Sequence, residues 1–221
     1  MLRKRSQKIN KDHVDRIFGL EIDRKTNVLS LAAFLLSVLG VGGQIYFFLR
    51  GPIVSLQPIE QITFYSSRYA NDIKYLKLAA NMVYVNTGFP GYNDAIKKET
   101  AVLHLSGKSY TFTWKKYIHS DSKGSEFIEN VVSDAHPVVI NAGSVETHET
   151  SFSSLSSANN YGNFIEFNLF QQIAVAENEM LVVINYETFS GKKDFVTCTV
   201  SIDDSFRAYI KHEWISPRCA E

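Results

Sequence analysis

The stretch Ile73–Gly88, "IKYLKLAANMVYVNTG", decides the fold class. Leu76, Leu78, Ala80, Met82 and Tyr84 alternate with Lys77, Ala79, Asn81 and Val83. A period of two places the first set on one face of an extended strand, where a helix would need a period near 3.6. Asn86-Thr87-Gly88 and then Pro90-Gly91 end the run with residues that favour turns.

The same reading extends in both directions. Upstream, "PIEQITFYSS" gives a first strand. Downstream, Ala101, Leu103 and Leu105 alternate with Val102, His104 and Ser106, and Gly107-Lys108 turns the chain into "SYTFTWKKYIH". The segment "HSDSKGSEFIENVVSDA" reads as a loop with a helical turn. "HPVVINAG" and "SVETHETSF" read as a strand pair across Ala142-Gly143-Ser144. Phe164, Phe167, Leu169 and Phe170 in "FIEFNLFQQIAV" suit a short helix. "EMLVVINYETF", the turn Ser190-Gly191-Lys192 and "DFVTCTVSID" form a hairpin by alternation and turn chemistry. "FRAYIKHEWI" is expected to add a last strand.

Seven to nine short strands at intervals of roughly 10–15 residues predict an all-β, antiparallel sandwich. In the turn at Tyr84–Gly88, the strand–"AGS"–strand at Val138–Phe152 and the hairpin around Gly191, the chain resembles extracytoplasmic immunoglobulin-like β-sandwich modules. The resemblance covers residues 55–205 as architecture. The Cys…Trp…Cys spacing of antibody domains is absent, and such a fold implies no particular activity.

Upstream of the strands lies "LSLAAFLLSVLGVGGQIYFFLRG", Leu29–Gly51. Val28–Leu49 is a run of 22 uncharged residues, about 33 Å as a helix, which matches a hydrocarbon core of about 30 Å. A cleaved export signal has a shorter apolar region and a small-x-small site, and a buried soluble helix seldom follows a polybasic leader. The run therefore reads as a transmembrane signal anchor. Tyr46, Phe47 and Phe48 sit at the interface, and Arg50 and Pro52 close the helix.

The 23 basic and 23 acidic residues balance overall, but unevenly along the chain. Residues 1–27 hold eight Lys/Arg against four acids, which leaves fifteen bases and nineteen acids beyond them. A basic flank stays in the cytoplasm, so residues 51–221 are expected outside the membrane. The absence of Asn-x-Ser/Thr sites leans the reading towards the bacterial inner membrane and a periplasmic domain. A mildly acidic body with no basic groove argues against nucleic acid as a partner.

Three divisions result: a cytoplasmic leader at 1–27, the anchor at 28–50 and the β-domain at 51–221. In the leader, Val14, Ile17, Phe18 and Glu21 fall at helical spacing. A short amphipathic helix on the inner leaflet and a basic tail that only sets topology both fit. In the anchor, Ser30, Ala33, Ser37, Gly40 and Gln44 recur every three or four residues, a stripe along which a second membrane helix can approach.

Chemistry is thin. Cys198 and Cys219 lie where a disulfide forms if the domain is exported. A simple hairpin would bring Cys198 opposite a residue near Lys211, so a bridge and a buried thiol both stand. Glu146, His148 and Thr150 share a strand face, and His104 or His119 could join His148 in a metal site. One His beside one acid is more simply a solvated strand face, and no metal or cofactor is expected. There is no Gly-x-Ser-x-Gly, phosphate loop or His-Glu-x-x-His, so the chain reads as a non-enzyme.

The loop "GFPGYND" offers Phe89 and Tyr92 as partner-binding aromatics. The expected function is a membrane-anchored interaction or scaffold subunit of an envelope complex. Its partners would be proteins, a membrane protein among them, the lipid bilayer, and a second copy of the chain. A membrane sensor is the alternative, and an envelope enzyme or metal-binding protein the next.

Overall fold

A computed structural model describes residues 15–17, 20–22, 27–68, 73–123, 126–154 and 165–220. They fall into two units, one ending at Gly51 and one beginning at Pro52. In the first, β1 (Asp15–Ile17) and β2 (Leu20–Ile22) pair antiparallel. This extended pairing replaces the amphipathic helix suggested by the leader's spacing. Gly19, which costs a helix interior about 1 kcal/mol against Ala, lies between the two segments. Val14 and Phe18 lie outside the described residues.

Helix α1 spans Asn27–Arg50. Its stretch Ser30–Arg50 is long and apolar enough to cross a membrane. Gly51, at φ +65°, adopts the left-handed conformation that commonly ends a helix. Arg50 lies over the Tyr46 ring at 5.9 Å.

The second unit is one large antiparallel sheet of eleven strands, curled into a half-barrel. These are β3 (Val54–Leu56), β4 (Ile62–Arg68), β5 (Lys74–Asn86), β6 (Asp94–Leu105), β7 (Lys108–Lys123), β8 (Glu126–Asp134), β9 (Val138–Ile140), β10 (Val145–Ser153), β11 (Glu179–Thr188), β12 (Lys193–Ser201) and β13 (Trp214–Ile215). The path is β12-β11-β6-β7-β10-β5-β4-β13, with β3 beside β5, β8 beside β7 and β9 beside β6. The antiparallel arrangement holds and the unit is mainly β rather than all-β, but one hydrogen-bonded sheet stands where two stacked sheets were expected.

The reason lies in the long strands. One edge of β5 pairs with β10, and the other is shared by β4 and β3. β7 likewise gives one edge to β10 and the other to β6 and then β8. Register shifts at Ser151/Phe152, Glu187/Thr188 and Tyr117/Ile118 add local twist that bends the sheet round without breaking it.

The inner face carries the alternating set of the opening stretch. Leu76, Leu78, Ala80, Met82 and Tyr84 are buried with Phe64, Phe112, Leu103, Phe152 and Val182. Truncating any one large member to Ala would cost about 2–5 kcal/mol. The β6–β7 hairpin turns on Ser106 and Gly107, both at positive φ, which is the arrangement that follows strand twist.

Helix α2 (Phe167–Ala176) is the short helix read from the aromatics, and it buries Phe167, Phe170 and Ala174 in the same core, with Phe170 stacked on Phe64 at 5.3 Å. Three expectations change. The segment taken as a loop is the end of β7 and all of β8. β9 and β10 do not pair with each other, because β9 joins β6 while β10 lies between β5 and β7. The last strand is instead α3 (Asp204–Tyr209) followed by the two-residue β13. Asp203 caps α3 by accepting a 2.7 Å bond from Phe206 N, and Phe206 and Ile210 enter the core.

The C-terminal tail joins the two ends of the curl. Arg218 bridges to Gln61 beside β4, Cys219 N donates to Glu60 O, and Ala220 bridges to Thr199 of β12. Cys198 and Cys219 are disulfide-bonded. The objection that a hairpin would leave Cys219 out of reach fails because α3 redirects the chain across to β4.

Candidate functional site

On the outer face, the end of β7 and the start of β8 form an arm that reaches across the sheet. Phe127 of β8 packs on Tyr65 of β4 at 4.4 Å and lies 6.2 Å from Trp214 of β13. The sheet path puts β10 and β5 between β7 and β4, so the arm spans both. Ile118, Ala79 and Tyr65 are buried beneath it as a second small cluster. Lys77 Nζ donates to Glu129 Oε2 at 2.7 Å and lies 5.7 Å from the Tyr65 ring centre. Burial, reinforced by the Glu129 charge, pushes the Tyr65 hydroxyl well above its ordinary pKa.

Beside this cluster is a groove of about 350 Å³ with Trp214 and Phe127 in its walls and Ala79 in its lining. Polar groups along it are fixed by hydrogen bonds before any ligand arrives. Gln61 Nε2 donates to Ser216 O at 2.9 Å and Ser216 Oγ at 2.7 Å, and Thr63 Oγ1 meets Ser216 Oγ at 2.7 Å. Glu149 Oε2 accepts from Ser120 N at 2.8 Å. Asn81, Asp121 and Ser122 are exposed along its length.

The "ETHET" strand does something other than expected. His148 turns inward, 13% exposed, rather than lying on a solvated face. Its Nε2 is 3.0 Å from Glu99 Oε1, an atom that also accepts from Tyr84 OH at 2.9 Å. Glu99 is fully buried, and its Oε2 has no hydrogen-bond partner among the described residues. Tyr117 and Tyr84 lie against the His148 ring at 4.7 and 5.5 Å. Burial first, then the Glu99 charge, raises the pKa of both tyrosines. Tyr186, edge-on to Tyr84, is pushed up to about 12 by burial and by Asp194.

Sequence reasoning missed Glu99, which follows Lys97-Lys98 and looks like a surface charge. Its only signal was its place on the inward alternation with Ala101 and Leu103. His104 faces Ser109 instead, 2.9 Å away, and His119 sits exposed on β7. The candidate metal residues are therefore not gathered: among the described residues no group of three or more His, Cys, Asp or Glu could hold an ion.

In the "GFPGYND" loop Phe89 is 49% exposed and Tyr92 half-buried. The loop is set by Asn86, fully buried, whose Nδ2 donates to Tyr92 O and Ile140 O while its Oδ1 accepts from Gly88 N and Ile53 N. A side chain at Gly88 would place Cβ 2.8 Å from that Oδ1. Along α1, Ser30, Ala33, Ser37, Gly40 and Gln44 share one stripe, and Ser37 Oγ donates to Ala33 O at 2.8 Å.

No family model matches the chain, and no curated protein does. Among solved structures, the sporulation control protein Spo0M of Bacillus subtilis aligns with 68% of this chain and 49% of its own, at 10% identity and a TM-score of 0.28. The chain thus spans about half of that protein, and the likeness carries nothing about activity.

Proposed function

We propose that this protein is a single-pass, membrane-anchored interaction or scaffold subunit of a bacterial envelope complex, with its leader in the cytoplasm and its half-barrel outside. The observation that carries the reading is α1. Leu36, Leu39 and Leu49 are 70, 70 and 77% exposed, and apolar side chains lie open around the whole helix. In water such a surface is unfavourable by about 25 cal/mol for every Å², whereas lipid removes that cost. The disulfide suits an oxidising compartment, and the excess of Lys/Arg before α1 favours retention of that end in the cytoplasm.

The stripe from Ser30 to Gln44 is the surface for a membrane partner or a second copy, and the half-barrel is the surface for a soluble one. Purification from native membranes in mild detergent, with quantitative mass spectrometry, tests the subunit role. A stoichiometric companion is expected. Recovery of the chain alone as a monomer would count against it, as would release of the full chain by alkaline carbonate.

A further inference from the structure

We propose that the groove beneath the β7–β8 arm is a binding site for a neutral carbohydrate chain, which deepens the envelope reading by naming a ligand class and rests on the domain's external placement. The lining decides the chemistry. Trp214 and Phe127 supply apolar ring faces, while Gln61, Thr63, Asn81 and Ser216 supply amides and hydroxyls. A sugar ring has this same division, with C–H groups on its faces and hydroxyls around its edge. With two aromatic rings among mostly polar groups the lining is more polar than that of the usual small-ligand pocket, which suits a hydroxyl-rich ligand, and about 350 Å³ is at the small end of the usual range.

Other ligands fit worse. Among the described residues, Asp121 and Glu149 line the groove and no Lys or Arg does, so a phosphate, nucleic acid or anionic headgroup meets the wrong sign there. A hydrocarbon chain would cover the exposed Asn81 amide and Ser122 hydroxyl without pairing them, at a cost for each. A peptide adding as a strand needs an open sheet edge. Here the floor is the face of β4, β5 and β10, whose ladders with one another are already formed. Carboxylates, in contrast, are good acceptors for sugar hydroxyls. The bonds that fix Gln61, Thr63, Ser216 and Glu149 reduce the ordering cost of binding.

The test uses the full chain in lipid nanodiscs, titrated by calorimetry with chitotetraose, cellotetraose and maltotetraose. At least one should bind saturably at one site per chain. Trp214→Ala should weaken it about tenfold or more by removing the stacking face. Asn81→Ala, at an exposed position, should weaken it several-fold without disturbing the fold. Phe195→Ala, on the exposed side of β12, should leave it unchanged. If Trp214→Ala fails to fold by circular dichroism, Trp214→Phe and Asn81→Ala decide in its place. Failure of all three tetrasaccharides to bind at millimolar concentration overturns the proposal, and so does binding that Asn81→Ala and the Trp214 variants leave intact. Carbonate extraction of the same preparations reads the anchor separately, so loss of sugar binding and loss of membrane placement are distinct results.

Discussion

Asn86 shows how much one side chain can organise. Its amide satisfies two carbonyls and two backbone N–H groups from three separate segments. Asn86→Ala leaves the Ile140 carbonyl buried, and the other three groups part-buried, without this partner, and is expected to cost about 1–3 kcal/mol. Urea unfolding measures it; an unchanged midpoint would refute the assignment. Asp94 does similar work for the β11–β12 turn, accepting from Ser190 N at 3.2 Å and Ser190 Oγ at 2.6 Å. Burial acts to raise its pKa, but Ser190, the Ala95 amide and Thr188 outweigh burial and hold it below the usual value. With the folded value depressed, its stabilisation is complete above the unfolded carboxyl pKa of about 3.9 and drains away as pH falls through the folded one. Asp94→Asn should therefore flatten part of the stability loss below about pH 4, read from thermal melts across pH. His148→Phe keeps a ring between Tyr84 and Tyr117 but removes a partner from buried Glu99, at an expected cost of about 1–3 kcal/mol. Glu99 did not declare its role in the sequence, and Asn86 declared only its turn and not its long-range bonds. Their partners His148 and Ile140 come from strands 49 and 54 residues away, which no local pattern can show.

Among the elements, the arm and the tail give the sheet its character. The tail connects β4 to β12, and the disulfide fastens it across a separation of 21 residues. Closing a loop of that length restricts the unfolded chain by about 3 kcal/mol. Reduction, or the paired change Cys198→Ser with Cys219→Ser, is expected to remove about that much from the unfolding free energy. No shift in the melt would show that the bridge fastens nothing. Alternation made β5, β6 and the β11–β12 hairpin legible, because one face of each is buried. It could not show which edge joins which, and so a single curled sheet and a two-sheet sandwich looked alike. β8 was hidden because Val131 and Val132 lie exposed while the packed side carries the polar Glu129, and α3 by apolar residues that suit a strand equally well. Asp203 was the readable sign of that helix, since a capping Asp stands just before it.

For the molecule as a whole, the account depends on α1 having lipid as its solvent. The stripe at Ser30, Ala33, Ser37, Gly40 and Gln44 should then matter only within the membrane. Gly40→Leu is expected to reduce recovery of a co-purifying membrane partner about tenfold, since helix contacts of this kind are worth about 1–2 kcal/mol. The apolar helix α1 was the most legible part of the chain, because length and the absence of charge suffice to read it. The groove was the least, because its walls come from β4, β5, β7, β8, β10 and the tail. The most direct measurement is labelling with a membrane-impermeant maleimide, which the two native cysteines, bridged to each other, do not confound. Phe89→Cys should react in intact spheroplasts, and Ser6→Cys only after lysis. Reaction of Ser6→Cys in intact spheroplasts, or protection of Phe89→Cys until they are opened, would contradict the account.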